Sequence, residues 1–185
     1  KTLALISIEK YSDALDCCKK IVILDKNNQK NFNLKGLIFS KQNKFNDAID
    51  NFKKSIQIDN NNSETYNNLG IVYKKIKKYN ESIDCLKKSI NLNSNNPEAY
   101  INLGSAFKNI RNFEEAINCF DKAIELDPNL HEAYNNRGLT YKDLKNFDNA
   151  LRDYEHSLKI KISADVLNNI ANIYKNQNKL EKALE

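Results

Sequence analysis

The four glycines of this 185-residue chain lie at a constant spacing of 34 residues. They are Gly36, Gly70, Gly104 and Gly138, and the sequence contains no other glycine. A fixed period of this length indicates an array of similar structural units, each of which packs on its neighbours, rather than one globular core. The repeat therefore constrains the fold more strongly than the composition does.

Aromatic and small residues recur in the same register as the glycines. An aromatic residue stands four positions before each glycine, and others stand three and nine positions after it. Alanine or serine follows twelve positions after the glycine. The columns continue in part to both ends, with one residue missing from the period near 161–163. We therefore divide the chain into four whole repeats between two partial ones, spanning 1–28, 29–62, 63–96, 97–130, 131–163 and 164–185.

Each repeat contains two helical patterns separated by a short turn. In the repeat 63–96, apolar residues recur at spacings of three and four in two separate stretches. Asn80 is a candidate N-cap for the second helix, Pro97 fits the first position of the next helix, and Pro128 fits a helix stop. The glycine and alanine columns would let the paired helices approach closely. The pattern predicts an all-α fold.

These columns resemble the tetratricopeptide repeat family, a helix–turn–helix of 34 residues with aromatic, Leu-Gly, aromatic, alanine, aromatic and proline positions. The segments 66–73 (YNNLGIVY) and 123–128 (AIELDP) are close to the family pattern. Lys35 and Arg137 depart from it because leucine is usual there, and Ala171 replaces the last glycine. The resemblance covers nearly the whole chain. It implies a tetratricopeptide repeat solenoid of antiparallel helix pairs in a right-handed superhelix.

Composition and charge argue against membrane and nucleic-acid partners. No stretch approaches the roughly 18–20 apolar residues of a membrane span. The net charge of +5 makes nucleic acid an alternative to a protein partner. The lysine column of the second helices, however, is not accompanied by the arginines and exposed aromatic residues that are typical of nucleic-acid-binding surfaces. Asp50 and Asp84 also stand four residues before Lys54 and Lys88, which predicts ion pairs along the helix.

The sequence contains no motif for catalysis, a cofactor or a metal. Its cysteines, Cys17, Cys18, Cys85 and Cys119, have no metal-binding spacing. Helices of neighbouring repeats lie roughly 8–10 Å apart, too far for a disulfide between Cys85 and Cys119. No phosphate-binding loop or hydrolase motif occurs. We therefore expect free thiols, a reducing cytoplasmic location and no enzymatic activity within this chain.

The resemblance implies that the first helices line a concave groove, which binds an extended peptide or a partner helix. Helical spacing places an acidic row, an asparagine row, a small apolar row and a lysine row across that groove. Asp165 continues the acidic row. The candidate peptide-binding residues are Glu64, Glu98, Glu132, Asn68, Asn102, Asn136, Asn169, Lys74, Lys108, Lys142 and Lys175.

The asparagine row carries the most specific hypothesis. A side-chain amide offers two donors and an acceptor, which match the peptide bond of an extended chain. The row resembles the asparagine ladder in the tetratricopeptide domain of O-GlcNAc transferases, which binds peptide backbones. Composition is the alternative explanation, because 31 of the 185 residues are asparagine. The acidic row also has an alternative explanation, since carboxylates in the first turn of a helix interact favourably with the helix dipole.

Binding of a chaperone C-terminal tail is not expected. Co-chaperone domains of the family clamp a carboxylate with lysine, asparagine and arginine at fixed positions. Here Glu98 and Glu132 occupy a lysine position of that clamp, and only its middle asparagine matches. The acids would repel a carboxylate. The expected partner is another protein or peptide.

Three functions remain open at this point. The first is a protein–protein interaction scaffold that binds its partner in the groove. The second is the substrate-docking region of a larger enzyme such as a glycosyltransferase. The third is self-association, since neither end carries the polar cap that closes a repeat array. Both ends fall inside a repeat, so we expect a piece of a longer chain.

Overall fold

The computed structural model describes residues 2–7, 9–24 and 28–176, and their regular structure is entirely α-helical. The helices form two compact units, 1–94 and 95–185. The first contains α1 (Thr2–Ser7), α2 (Tyr11–Leu24), α3 (Gln29–Lys41), α4 (Phe45–Ile58), α5 (Ser63–Lys75) and α6 (Tyr79–Leu92). The second contains α7 (Pro97–Asn109), α8 (Phe113–Leu126), α9 (His131–Asp143), α10 (Phe147–Ile160) and α11 (Ala164–Asn176). The all-α helical repeat fold is confirmed.

The helices pack as consecutive pairs. The most extensive contacts join α3 to α4 and α5 to α6 in the first unit, and α7 to α8 and α9 to α10 in the second. Within a unit, the second helix of one pair also contacts the first helix of the next, and successive first helices contact each other more narrowly. Each repeat thus buries its apolar face on its neighbours, as in a repeat protein.

A left-handed residue closes the turn inside each pair. Its backbone φ is near +60°, and it is Asn43, Lys77, Arg111 or Lys145. In the second of these turns, the Lys78 N–H donates to the Tyr73 carbonyl at 2.9 Å, which completes a Schellman motif. Helix α6 therefore begins at Tyr79, so the prediction that Asn80 is its N-cap is wrong. Lys78 occupies that position without a side-chain cap bond.

Asparagine residues are the N-caps of several helices. Each of these accepts a hydrogen bond from the backbone N–H three residues further on, and they are Asn28, Asn62, Asn96, Asn112 and Asn146. An N-cap of this kind contributes about 1 kcal/mol to stability. Helix capping therefore accounts for part of the asparagine excess.

The links between helix pairs follow the predicted punctuation. Pro97 is the first residue of α7, and α8 ends at Leu126, ahead of Pro128. The links 59–62, 93–96 and 127–130 have four residues each, whereas 161–163 has three. The missing residue of the period is therefore absorbed in a loop, and α11 keeps the register of the other first helices.

Each glycine lies at the closest approach of its helix pair. A Cβ atom at Gly36 would lie 2.5 Å from Cε1 of Phe52, and one at Gly138 would lie 2.9 Å from Cε1 of Tyr154. The facing Phe52 and Tyr154 are fully buried. The glycine column is therefore explained by packing against the second helix, as the sequence predicted.

Substitution of Gly104 by alanine should destabilise the second unit. The new Cβ would lie 2.7 Å from Cε1 of Phe120 and 3.0 Å from the Ala116 carbonyl oxygen, which is backbone and cannot rotate away. Overpacking costs about 1–3 kcal/mol, more than the gain in helix propensity of at most about 1 kcal/mol. Urea unfolding followed by circular dichroism measures the difference. Asn118→Ala on the exposed face of α8 should leave stability unchanged or slightly higher; equal stability of both variants would contradict the close contact.

Tyr154 introduces a hydroxyl group where its counterparts Phe52 and Phe120 have none. The hydroxyl is buried and has no hydrogen-bond partner among the described residues. Burial raises the pKa of Tyr154, and the carboxylates of Asp143 and Asp153 raise it further. A buried polar group without a partner costs about 1–3 kcal/mol.

Tyr154→Phe should therefore keep or increase stability, by up to about 1 kcal/mol, whereas most core substitutions reduce it. The reverse change in the same unit, Phe120→Tyr, should decrease stability, because it buries a new hydroxyl. Midpoints of thermal unfolding compare the two variants with the unaltered chain. A loss of stability in Tyr154→Phe would mean that the hydroxyl is hydrogen-bonded.

Arg137 joins three helices through carboxylates. Its Nε and Nη2 atoms donate to the two oxygens of Asp153 on α10 at 2.8 and 2.7 Å, and Nη1 donates to Asp121 on α8. Burial opposes the charge of the guanidinium, but the hydrogen bonds to Asp153 and Asp121 outweigh it and raise the pKa of Arg137. In the preceding repeat the corresponding pair is Leu103 and Cys119, both buried. The ion pair therefore occupies positions that hold two buried apolar residues in the preceding repeat.

Arg137→Leu should reduce the free energy of unfolding by about 3 kcal/mol, because the buried carboxylate of Asp153 loses its partner. The double variant Arg137→Leu/Asp153→Cys copies the pair of the preceding repeat and should regain that stability, since well-packed apolar residues often equal a buried ion pair. Chemical denaturation of the four members of this mutant cycle provides the coupling energy. Equal stability of the double variant and Arg137→Leu would overturn the expectation.

Candidate functional site

In the first unit, polar side chains of neighbouring first helices are hydrogen-bonded to one another. The amide of Asn33 on α3 donates to Glu64 at 3.3 Å and accepts from Asn68 at 3.4 Å, both on α5. A cleft of about 240 Å³ adjoins them, lined by Leu37, Ser40, Lys41, Phe52, Asn68, Ile71 and Lys75. Burial and the neighbouring charge of Lys75 lower the pKa of Lys74. The predicted Glu64 and Asn68 thus lie side by side.

The second unit contains a larger cleft between α7 and α9, with a volume of about 450 Å³. Most of the residues that line it are polar or charged, and they are Ser105, Lys108, Asn109, Arg111, Phe113, Asn136 and Asp143. The predicted Lys108 and Asn136 are therefore brought to one cleft. Lys108 Nζ lies 3.4 Å from a carboxylate oxygen of Asp143, so an ion pair lines part of the cleft.

Two neighbouring amides of α9 have hydrogen-bonding capacity to spare. Asn136 is half-buried in the cleft, and its side chain has no hydrogen-bond partner within the described part of the chain. The Oδ1 atom of Asn135 is buried and also lacks a donor there. Its counterpart Asn33 in the first unit accepts from Asn68. A buried acceptor without a donor is uncommon in folded proteins and calls for a ligand, a water molecule or another explanation.

The other predicted groove residues differ in their surroundings. Asn169 Oδ1 accepts from Lys142 Nζ at 3.0 Å, which connects α9 to α11 and joins two predicted residues. Asn102 is half-buried on α7. Glu98, Glu132 and Lys175 are exposed and form no ion pair within the described residues. The structure thus brings some of the predicted residues together, and the sequence did not show which of them bond to each other.

Arg111 and Phe113 line the cleft although sequence analysis did not single them out. Arg111 is the left-handed residue of the turn, and its guanidinium lies 5.6 Å from the centroid of the Phe113 ring. The repeat register could have pointed to Arg111, because its turn position lies three residues after the lysine row. The turn geometry brings that position to the edge of the groove.

The exposed side of the second helices, called the outer face below, does not contain the ion pairs that the sequence predicted. Neither Asp50 with Lys54 nor Asp84 with Lys88 forms a pair in the described structure. Lys122 instead pairs with Glu125, three residues further on, at 2.7 Å. Exposed side chains gain little from such pairs, because water solvates each charge well. Pairing along the helix is therefore no reason to discount the positive charge of this face.

The cysteines are free thiols, as predicted from their spacing. Burial raises the pKa of Cys18, and burial together with the charge of Asp84 raises that of Cys85 to about 11. Such thiols are poor nucleophiles, because the thiolate is the reactive form. Across 2–7, 9–24 and 28–176, no three His, Cys, Asp or Glu side chains converge on a possible metal position. The helices of these segments are also too short or too polar to cross a bilayer.

Comparison with known proteins agrees with the repeat architecture. A family model described as tetratricopeptide repeat matches residues 63–96, 97–130 and 131–161, and further models of such repeats match 36–77 and 163–185. No curated protein sequence matches the chain.

Solved structures with the same fold include MamA, YrrB and pilF. MamA is 26% identical with a TM-score of 0.76, and the match covers 85% of this chain and 92% of MamA. YrrB, described as a TPR protein with an unusual peptide-binding site, is 24% identical with a TM-score of 0.72, over 89% and 85%. Pseudomonas aeruginosa pilF is 16% identical with a TM-score of 0.85, over 98% and 85%. The period, the paired helices and the matching family models together place this chain in the tetratricopeptide repeat family.

Proposed function

We propose that the chain is a protein–protein interaction module that binds an extended peptide segment of a partner in the groove formed by its first helices. The cleft between α7 and α9 carries this proposal, because it combines a volume of about 450 Å³ with the unpartnered amide of Asn136. An amide can donate to and accept from one peptide unit, so Asn136 could grip a backbone regardless of its side chains.

The neighbouring groups support the same function. Lys108 and Asp143 offer one charge of each sign beside the amide. The similarity to YrrB extends to the fold alone at 24% identity, so the groove residues of this chain carry the proposal.

Asparagine ladders that hold peptide backbones, as in O-GlcNAc transferases, provide the comparison for this mode of binding. Under it, Asn102, Asn136 and Asn169 of successive first helices would contact successive parts of one ligand. A partner protein in a reducing compartment such as the cytoplasm fits the free thiols. No described side-chain arrangement favours docking for a glycosyltransferase over binding of any other peptide.

Asn136→Ala should weaken peptide binding about tenfold, since it removes hydrogen bonds worth about 1.4 kcal/mol in total. Asn68→Ala should have a smaller effect, because the Asn68 amide already donates to Asn33. Peptides for this test come from a random twelve-residue display library selected on the unaltered chain. Isothermal calorimetry then measures their dissociation constants with each variant.

The matched control is Asn118→Ala, which removes an exposed amide from the outer side of α8. It should leave the affinity of every selected peptide unchanged. Sedimentation at several protein concentrations keeps self-association apart from peptide binding. The proposed function fails if selection returns no peptide whose affinity depends on Asn136.

A further inference from the structure

The first helices of the second unit present their ends in a common direction. Because the helices of each pair are antiparallel, α7, α9 and α11 run parallel to one another. Their N-terminal turns therefore lie along one edge of the groove and their C-terminal turns along the other. This arrangement separates side chains of the first turn from side chains of the last turn in all three helices.

The N-terminal edge is acidic. Glu98, Glu132 and Asp165 each occupy the first turn of their helix and are exposed. None of the three forms an ion pair or accepts a side-chain hydrogen bond among the described residues, whereas Glu64 of the first unit accepts a hydrogen bond from Asn33. Their carboxylates interact favourably with the helix dipoles and also form a row of negative charge that faces solvent.

The C-terminal edge is basic. Lys108, Lys142 and Lys175 occupy the last turns of the same helices. Lys142 donates to the neutral amide of Asn169, whereas Lys108 is paired with the carboxylate of Asp143. Arg111 adds a further cation at the edge of the cleft.

The two edges are separated by a distance that suits one extended chain. Ten residues separate Glu98 from Lys108, which corresponds to about 15 Å along the helix. Asn102 and Ser105 lie between them on the same helix. An extended peptide lying over Asn102 and Ser105 would point successive side chains toward the acidic and the basic edge in turn, because a β-strand has a side-chain period of two.

We infer, given the proposed function, that the second unit prefers an extended peptide of alternating charge, with basic side chains toward Glu98, Glu132 and Asp165 and acidic side chains toward Lys142 and Lys175. Packed helices lie about 8–10 Å apart, so three of them span about 20 Å. About six to eight extended residues cover that length at about 3.3 Å each. The preference for alternation goes beyond backbone binding, which is indifferent to ligand side chains.

Three peptides with blocked ends test the inference by calorimetry. The first repeats Lys-Glu four times, the second has four lysines followed by four glutamates, and the third repeats Thr-Ser four times. The first two have the same composition and net charge, so only the order of charges differs. The alternating peptide should bind about tenfold more tightly than the block peptide, since several exposed charge pairs add together. Raising the salt from about 0.02 M to about 0.5 M should reduce that ratio.

Charge-neutral variants locate the effect. Glu98→Gln/Glu132→Gln/Asp165→Asn should reduce the preference for the alternating peptide at least about threefold, because each lost pair is worth a factor of up to about five. The matched control Glu114→Gln/Asp148→Asn/Glu155→Gln removes the same charge from the second helices and should keep the preference.

The outcomes distinguish the inference from the proposed function. Equal affinity for the alternating and block peptides, or an equal effect of the two triple variants, would overturn the charge preference. Binding of both charged peptides with a dependence on Asn136 would still support a peptide groove. Absence of binding by all three peptides, together with a library selection that returns none, would contradict both.

Discussion

The contact between each glycine and the side chain sixteen residues further on determines how the helices of a pair pack. Gly36 faces Phe52 and Gly104 faces Phe120 so closely that even a methyl group would overlap the ring. The large side chain fills the space left by the missing Cβ and is completely buried. Because interiors are close-packed, this contact sets the distance between the two helices and leaves little freedom to vary it. The four repeats that contain a glycine share this geometry.

The common direction of the first helices follows from that pairing. Once each pair is antiparallel, the first helices run parallel, and like ends of the helices collect at like edges. Acidic first turns and basic last turns stabilise individual helices through their dipoles. The same side chains then form opposed rows across α7, α9 and α11, so helix stability and the charge pattern of the groove have a common origin. A ligand that alternates in charge would match a pattern that also stabilises the individual helices.

The Arg137 cluster shows how a repeat can depart from its family without a change of fold. Where the first helix has leucine at this position, the facing residue of the second helix is Cys85 or Cys119. Where it has Arg137, the facing residue is Asp153, which accepts two hydrogen bonds from it. The partner changes with the residue because a buried guanidinium without a carboxylate would be unstable. Asp121 extends the cluster to the preceding repeat, a link that the leucine repeats lack the chemistry to make.

The period, the helix pairs and the glycine contacts could be predicted from the sequence, because all of these depend on spacing along one chain. The sequence did not determine which groove side chains are already engaged. Asn68 and Asn136 occupy the same repeat position, yet the first is bonded to Asn33 and the second has no partner among the described residues. Nor did helical spacing identify the true ion pairs, since Lys122 bonds Glu125 while the predicted pairs of the outer face do not form. Hydrogen bonds and charge pairs depend on side-chain conformation and on neighbouring repeats, so they become visible in the packed helices and not in the repeat pattern.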